Sequence, residues 1–187
     1  MNSPETDTDK DLPNRQTEAQ KTREVADRLF PGEKWIKVEV GIFLSPNRAI
    51  GKKTNYGDEL LDARILRDLG NTVYLTPEPR RDTGRKYDAI VGGLMFEFKN
   101  VGGGAGTLEM QFLRSRSQAP NVFINLENSP LSRRQIMSTL YGARNKPETP
   151  YSHGYDHYNK FRGGVIVLKI RGQDGLACIA VDELKSR

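Results

Sequence analysis

The stretch RKYDAIVGGLMFEFKNVGGGAG, Arg85 to Gly106, decides how this chain is read. Val91 and Leu94 flank Gly92-Gly93, a pair suited to the φ-positive positions of a two-residue hairpin turn. That turn sets a register in which Val91 faces Leu94, Ile90 faces Met95, Ala89 faces Phe96 and Asp88 faces Glu97. Side chains alternate along a strand, so Glu97 and Lys99 share a face with Met95 while Phe96 and Phe98 point the other way, into a core. Directly opposed residues have β-carbons about 4.5–5.5 Å apart, and like charges there repel. Two such carboxylates are reconciled by a divalent cation, by a shared proton or by splaying into water, and Lys99 offers partial neutralisation. The plain alternative is an exposed hairpin face with an ordinary Glu97–Lys99 salt bridge.

An aspartate, a glutamate nine residues further on and a lysine two beyond it, on adjacent strands, suit metal-assisted cleavage of a phosphodiester. Carboxylate oxygens hold a hard cation, which activates water and offsets charge on the phosphate, and a lysine orients or deprotonates that water. Asp88 and Glu97 are therefore the candidate metal ligands and Lys99 a candidate catalytic group. Upstream, Glu59, Ala63 and Leu66 lie at i, i+4 and i+7 of a helix and share one of its faces. Glu59 sits near that helix's N-terminus, where the dipole favours an anion, and is a candidate third carboxylate. A first-turn acid with no further role is the alternative.

Working outward, residues 1–13 are acidic, polar and proline-punctuated, and read as a disordered tail before a single domain over 14–187. A charged helix is predicted from Asn14 to Phe30, with Val25, Ala26, Leu29 and Phe30 as its apolar side. KWIKVEVGIFL reads as a strand in which Ile36, Val38 and Val40 alternate with charged residues. DELLDARILRDLGN is the best-marked helix, with Leu61, Ile65 and Leu69 at i, i+4 and i+8 and Gly70 as its stop. TVYLTPE reads as a strand closed by proline, Thr107 to Ala119 as a helix, Asn121 to Leu126 as a buried strand and Ser132 to Arg144 as a helix. VIVLKI and LACIAV close the chain as two strands. Strands framed by helices predict an α/β (α+β) domain with a mixed central sheet.

The chain has 187 residues, 36% of them hydrophobic and 28% charged, with a net charge of +5. Residues 1–30 carry seven acids against five bases, so the basic surplus lies entirely in the remainder. Such a surplus favours a polyanionic partner, nucleic acid above all. SPNRAIGKK and PRRDTGRK are basic loops, and Arg48, Lys52, Lys53, Arg80 and Arg81 are candidate phosphate contacts that position a backbone without reading sequence. Thr107, Gln111 and Arg114 recur at i, i+4 and i+7 of a helix and form a polar face that can look into the site, with Gln111 a substrate or water contact and Arg114 a phosphate contact. The glycine-rich run Gly102 to Gly106 leads into that helix; it is either a phosphate-receiving N-terminus or a flexible connector. His153 and His157, among Tyr151, Tyr155 and Tyr158, offer metal ligation or base stacking in a loop. The single Cys178 excludes an internal disulfide and reads as a buried small hydrophobe. No apolar run approaches the length of a membrane span, and no basic-then-apolar leader opens the chain. The expected site of action is the cytoplasm, and a chain released from a larger secreted precursor would read the same.

Asp88, Glu97 and Lys99 with a helical acid upstream resemble the PD-(D/E)XK restriction-endonuclease-like superfamily. A longer stretch, Gly57 to about Leu140, resembles the C-terminal tRNA-nuclease toxin domains of contact-dependent growth-inhibition proteins and related polymorphic toxins. The matching features are Glu59 with Ala63, Leu66 and Gly70, then Tyr87-Asp88, Phe96-Glu97-Phe98-Lys99, Gln111, and Gln118-Ala119 followed by Asn121-Val122. Tyr87 stands where those families usually carry proline. The resemblance implies a restriction-endonuclease-like fold and a toxin-like endoribonuclease acting on tRNA, with Glu59, Asp88, Glu97, Lys99 and Gln111 at its site and a cognate immunity protein as partner. A Mg²⁺-dependent DNase of restriction or repair type and a non-catalytic basic nucleic-acid-binding module stand as alternatives. Mg²⁺ or Mn²⁺ is the expected cofactor; the tRNA-cleaving relatives do not all keep the metal-site residues, so metal-independent cleavage stays open.

Overall fold

Gly92 and Gly93 take φ of +57° and +80°, the two positive values of a type I′ turn, whose twist matches that of the strands it joins. The turn joins β4 (Ala89–Val91) to β5 (Leu94–Asn100). Val91 pairs with Leu94, Ile90 with Met95 and Ala89 with Phe96, as the glycine pair predicts. The computed structural model describes residues 12–48, 56–77, 87–116, 118–144 and 164–184, the first five by backbone alone.

The hairpin is the centre of one eight-stranded mixed sheet whose strands follow chain order. The others are β1 (Ile36–Glu39), β2 (Ile42–Leu44), β3 (Val73–Leu75), β6 (Asn121–Leu126), β7 (Val165–Ile170) and β8 (Leu176–Ala180). β2 and β3 are parallel, as are β5, β6 and β7, while β1, β4 and β8 pair antiparallel to their neighbours. Five strands therefore run one way, and their C-terminal ends lie along one edge. The helices are α1 (Leu12–Leu29), α2 (Tyr56–Asp68), α3 (Ala105–Ser115) and α4 (Arg133–Arg144). The mixed sheet flanked by helices is the architecture predicted.

Strand alternation divides the core between two faces. On one, Ala63 and Leu66 of α2 pack on Ile42, Leu44, Val73, Leu75, Ala89, Val91, Phe96, Phe98 and Phe123. On the other, Leu108 and Phe112 of α3 and Ile136 and Leu140 of α4 cover Val122, Ile124, Ile166 and Leu168. Ala26 of α1 covers Tyr74 and Ile90 there. Glu97 and Lys99 are in register with Val122 and Ile124, so they project onto the second face, opposite Phe96 and Phe98. The Phe98 and Phe123 rings meet edge to face at 5.7 Å. α4 opens on a reciprocal cap: the Ser132 N–H donates to Gln135 Oε1 at 2.9 Å and the Gln135 N–H to Ser132 Oγ at 3.4 Å, the pattern that satisfies otherwise orphaned helix donors.

Four sequence expectations are corrected. KWIKVEVGIFL is two strands, not one, because Gly41 takes φ +76° and turns the chain; Ile36 and Val40 are left 50% and 75% exposed at the sheet's edge. The Leu61, Ile65, Leu69 stripe is not the core side of α2, since Leu61 and Leu69 are exposed and the buried residues are Asp62, Ala63 and Leu66. Cys178 is exposed: it pairs with Val167 on the α2 side of edge strand β8, whereas Ile179 on the opposite side is buried. The first helix opens at Leu12, so Leu12 and Pro13 belong to it, and the rest of the expected tail lies outside the described residues.

The reassigned face of α2 predicts that Leu66→Ala costs about 2–5 kcal/mol through lost burial and a residual cavity, and that Leu61→Ala costs less than about 1 kcal/mol. Urea unfolding of the two variants checks the ranking; equal losses would return the core side to the Leu61 stripe.

Candidate active site

The edge formed by the strand C-termini gathers five charged side chains. Arg48 follows β2, Glu59 lies in the first turn of α2, Asp88 precedes β4, and Glu97 and Lys99 stand on β5. Arg48 was expected as a loop phosphate contact; instead its side chain is 2% exposed. Its Nε donates to Glu59 Oε2 at 3.1 Å and its Nη2 donates to the same oxygen. Nη1 donates to the Thr76 carbonyl and, at 3.1 Å, to that of Asp88. Nη2 also lies 3.8 Å from Asp88 Oδ1. The physical reason is compensation: a buried guanidinium needs acceptors for its fork, and the helix start and two strand ends supply them.

Asp88 does not sit squarely opposite Glu97. Its N–H bonds to the Phe96 carbonyl at 2.9 Å, one residue short of the pairing the turn would propagate, and the ladder ends at Ala89–Phe96. Such a slip re-aims a side chain at the end of a ladder. Here Asp88 Oδ2 accepts the Phe98 N–H at 2.8 Å. Its own carbonyl accepts from Thr76 N at 3.0 Å and Thr76 Oγ1 at 3.1 Å as well as from Arg48. Asp88 is thus held from both backbone and side chain.

Glu97 is 2% exposed. Lys99 Nζ donates to its Oε1, and its Oε2 is buried without a donor. Burial pushes the Glu97 carboxyl well above the usual carboxylate range, the Asp88 charge adds to this, and Lys99 pulls it back. Asp88 is raised too, by burial first and then by Glu59, against the pull of its Phe98 N–H bond, Arg48 and Lys99. Of the three ways to reconcile the carboxylates, splaying into water is thus not the one adopted. A shared proton or a divalent ion satisfies the pair, and the donorless Glu97 Oε2 beside Asp88 suits either. Among the described residues no three His, Cys, Asp or Glu side chains form a metal-holding group; Asp88 and Glu97 are the pair available, with Glu59 engaged by Arg48.

The other expected residues divide. Gln111 is half-buried on α3, on the sheet face that carries Glu97 and Lys99, and Arg114 is exposed on the same helix. Lys52, Lys53, Arg80, Arg81, His153 and His157 lie outside the described residues. In the glycine-rich connection, Ser129 Oγ donates to the Gly103 carbonyl at 2.9 Å, and a β-carbon at Gly103 would collide with the Thr107 side chain.

Asp62 went unread in the sequence, although it shares the face of Glu59, Ala63 and Leu66. It is fully buried, and its oxygens accept from Asn100 Nδ2 at 2.9 Å and Asn125 Nδ2 at 2.8 Å. These bonds tie α2 to β5 and β6 just behind the carboxylate cluster. Burial raises its pKa to about 7, and the two amides pull it back only in part.

No protein-family model matches the chain, and no curated protein matches it. Among solved structures, it is similar to a chain of the CdiA-CT/CdiI toxin and immunity complex from Burkholderia pseudomallei, with a TM-score of 0.50 and 18% identity, covering 73% of this chain and 98% of that one. At that identity the similarity is one of fold.

Asp62 yields a pH prediction. Its folded pKa lies above the unfolded value, so the native state holds the proton more tightly and stability falls as pH rises from about 4 to about 7. Asp62→Asn lacks this titration. Between pH 4.5 and 7.5 the variant should gain on the wild type by at least about 1 kcal/mol, the worth of one pKa unit, in urea unfolding at each pH. A constant gap would show that Asp62 titrates alike in both states.

Proposed function

We propose that this chain is a toxin-like nuclease of the restriction-endonuclease-like kind, that it cleaves the phosphodiester backbone of RNA with tRNA as its substrate, and that a cognate immunity protein opposes it. The observation that carries this reading is the buried Glu97, paired to Lys99 through one oxygen, with its other oxygen buried and donorless and its proton affinity raised by Asp88. A structural salt bridge alone would leave that second oxygen exposed or bonded, since a buried acceptor without a donor costs about 1–3 kcal/mol. The fold similarity to a chain of a toxin and immunity complex supports the toxin and the immunity partner. The basic surplus beyond residue 30 supports a polyanionic substrate.

Asp88 and Glu97 would hold Mg²⁺ or Mn²⁺, which when bound supplies Lewis acidity toward the phosphate and its attacking nucleophile. The chain's own groups do the rest. Lys99 carries its ammonium on Glu97, on the part of β5 that pairs with β6. From there it donates to a phosphate oxygen as charge grows there, which is electrostatic stabilisation that costs no reorganisation. Arg48 and the Phe98 N–H keep Asp88 aimed at the same point. Gln111 contributes a substrate contact from α3, and Arg114 and the basic loops hold flanking phosphates.

Lys99→Ala is expected to lower turnover on tRNA by about 10²–10⁴-fold with substrate binding little changed and the fold retained. Lys99→Arg keeps the charge and forbids deprotonation, so partial activity marks an electrostatic role and complete loss a base. Parallel melting and cleavage assays decide it: reduced stability with wild-type cleavage would leave Lys99 as a salt-bridge residue only. Mg²⁺ or Mn²⁺ is expected to raise the Tm of the wild type but not of Asp88→Asn, through preferential binding to the folded state; a wild type indifferent to both ions would favour metal-independent cleavage. Cutting of duplex DNA in place of tRNA would move the reading to a DNase, and retardation of both without cutting would move it to a binding module.

A further inference from the structure

We infer that Arg48 is a resident cation of this site: it takes the Glu59–Asp88 side for itself, so the site accepts one divalent ion, on Asp88 and Glu97, and Glu59 supports Arg48 in place of ligating metal. The inference rests on the cation reading given above and adds to it the number of ions and the role of Glu59.

Three observations carry it. All three guanidinium nitrogens are engaged: Nε and Nη2 on Glu59 Oε2 and Nη1 on the carbonyls of Thr76 and Asp88, with Nη2 also 3.8 Å from Asp88 Oδ1. A fork so held is planar, always charged and cannot make room by losing a proton. A divalent ion placed between Glu59 and Asp88 would share their oxygens with a positive group already at hydrogen-bond distance, in a setting where water screens little. The Glu97 side is different. Its Oε2 is buried and has no donor, and Lys99 occupies only the other oxygen. The buried acceptor of the cluster left without a donor is thus on the Glu97 side.

Chemically, two-ion nucleases neutralise the attacking and the leaving oxygens with a metal each. In this chain the second positive charge is covalently part of the protein. It needs no capture from solution, and it doubles as a strut joining the β2 loop, the α2 start and the β3 and β4 ends.

Equilibrium binding of Mn²⁺ to the full chain, read from the free-ion EPR signal without substrate, tests this independently of activity. The wild type should bind one ion. Glu59→Gln should still bind one, with affinity lowered by no more than about 10-fold, as for a residue that acts through another. Asp88→Asn should lose detectable binding, and Arg48→Met, which frees Glu59, should bind two. Two ions on the wild type, or a loss in Glu59→Gln as complete as in Asp88→Asn, would overturn the inference and leave the cation reading intact. One ion on a folded Arg48→Met would do the same; should that variant fail to fold by circular dichroism, Glu59→Gln decides on its own. A wild type that binds no Mn²⁺ overturns both.

Discussion

A guanidinium that cannot shed its charge is buried where the β2 loop, the α2 start and the β3 and β4 ends converge, and the rest of the candidate site is arranged around it. Arg48 is expensive to remove from water, and it is tolerated because Glu59, two carbonyls and the edge of Asp88 all face it. Removing one partner of such a buried pair costs about 3–5 kcal/mol, most of it the penalty for the charge left behind. Arg48 therefore links stability to the geometry of the candidate site. The contacts that hold these four segments together are also those that fix the direction of Asp88.

The hairpin meets this constraint from the other side. A type I′ turn starts β4 and β5 in register, and a one-residue slip at Asp88 ends that register where the carboxylates begin. Without the slip, Asp88 and Glu97 would stand directly opposed. With it, the Asp88 carboxylate reaches the Phe98 N–H and still faces Glu97. Behind them the Asp62–Asn100–Asn125 bonds hold α2 against β5 and β6, so Glu59, one turn earlier on that helix, is carried to a defined height above the sheet.

Chemistry placed at the C-terminal edge of parallel strands is a recurring arrangement, because the loops that leave such strands converge there. In this chain the sheet presents acids of raised proton affinity in a setting where the overall charge is positive. The same fold occurs in a chain of a toxin and immunity complex.

The sequence by itself determined the features that arise from local stereochemistry. Gly92-Gly93 dictated the turn, alternation placed Glu97 and Lys99 opposite Phe96 and Phe98, and mostly apolar runs marked β6 and β7 at Asn121–Leu126 and Val165–Ile170. The pairing of Glu59 with Ala63 and Leu66 on one helical face was legible for the same reason. Only the tertiary structure decided that Leu61 and Leu69 face out, that Asp62 is sealed in, that Asp88 slips by one residue and that Arg48 turns inward. Those outcomes depend on partners up to 63 residues apart in the chain, and each is a balance of desolvation against acceptors supplied by other elements. A local pattern specifies which side chains share a face; which face is covered, and which charges are compensated, is settled when the sheet and its helices close on one another.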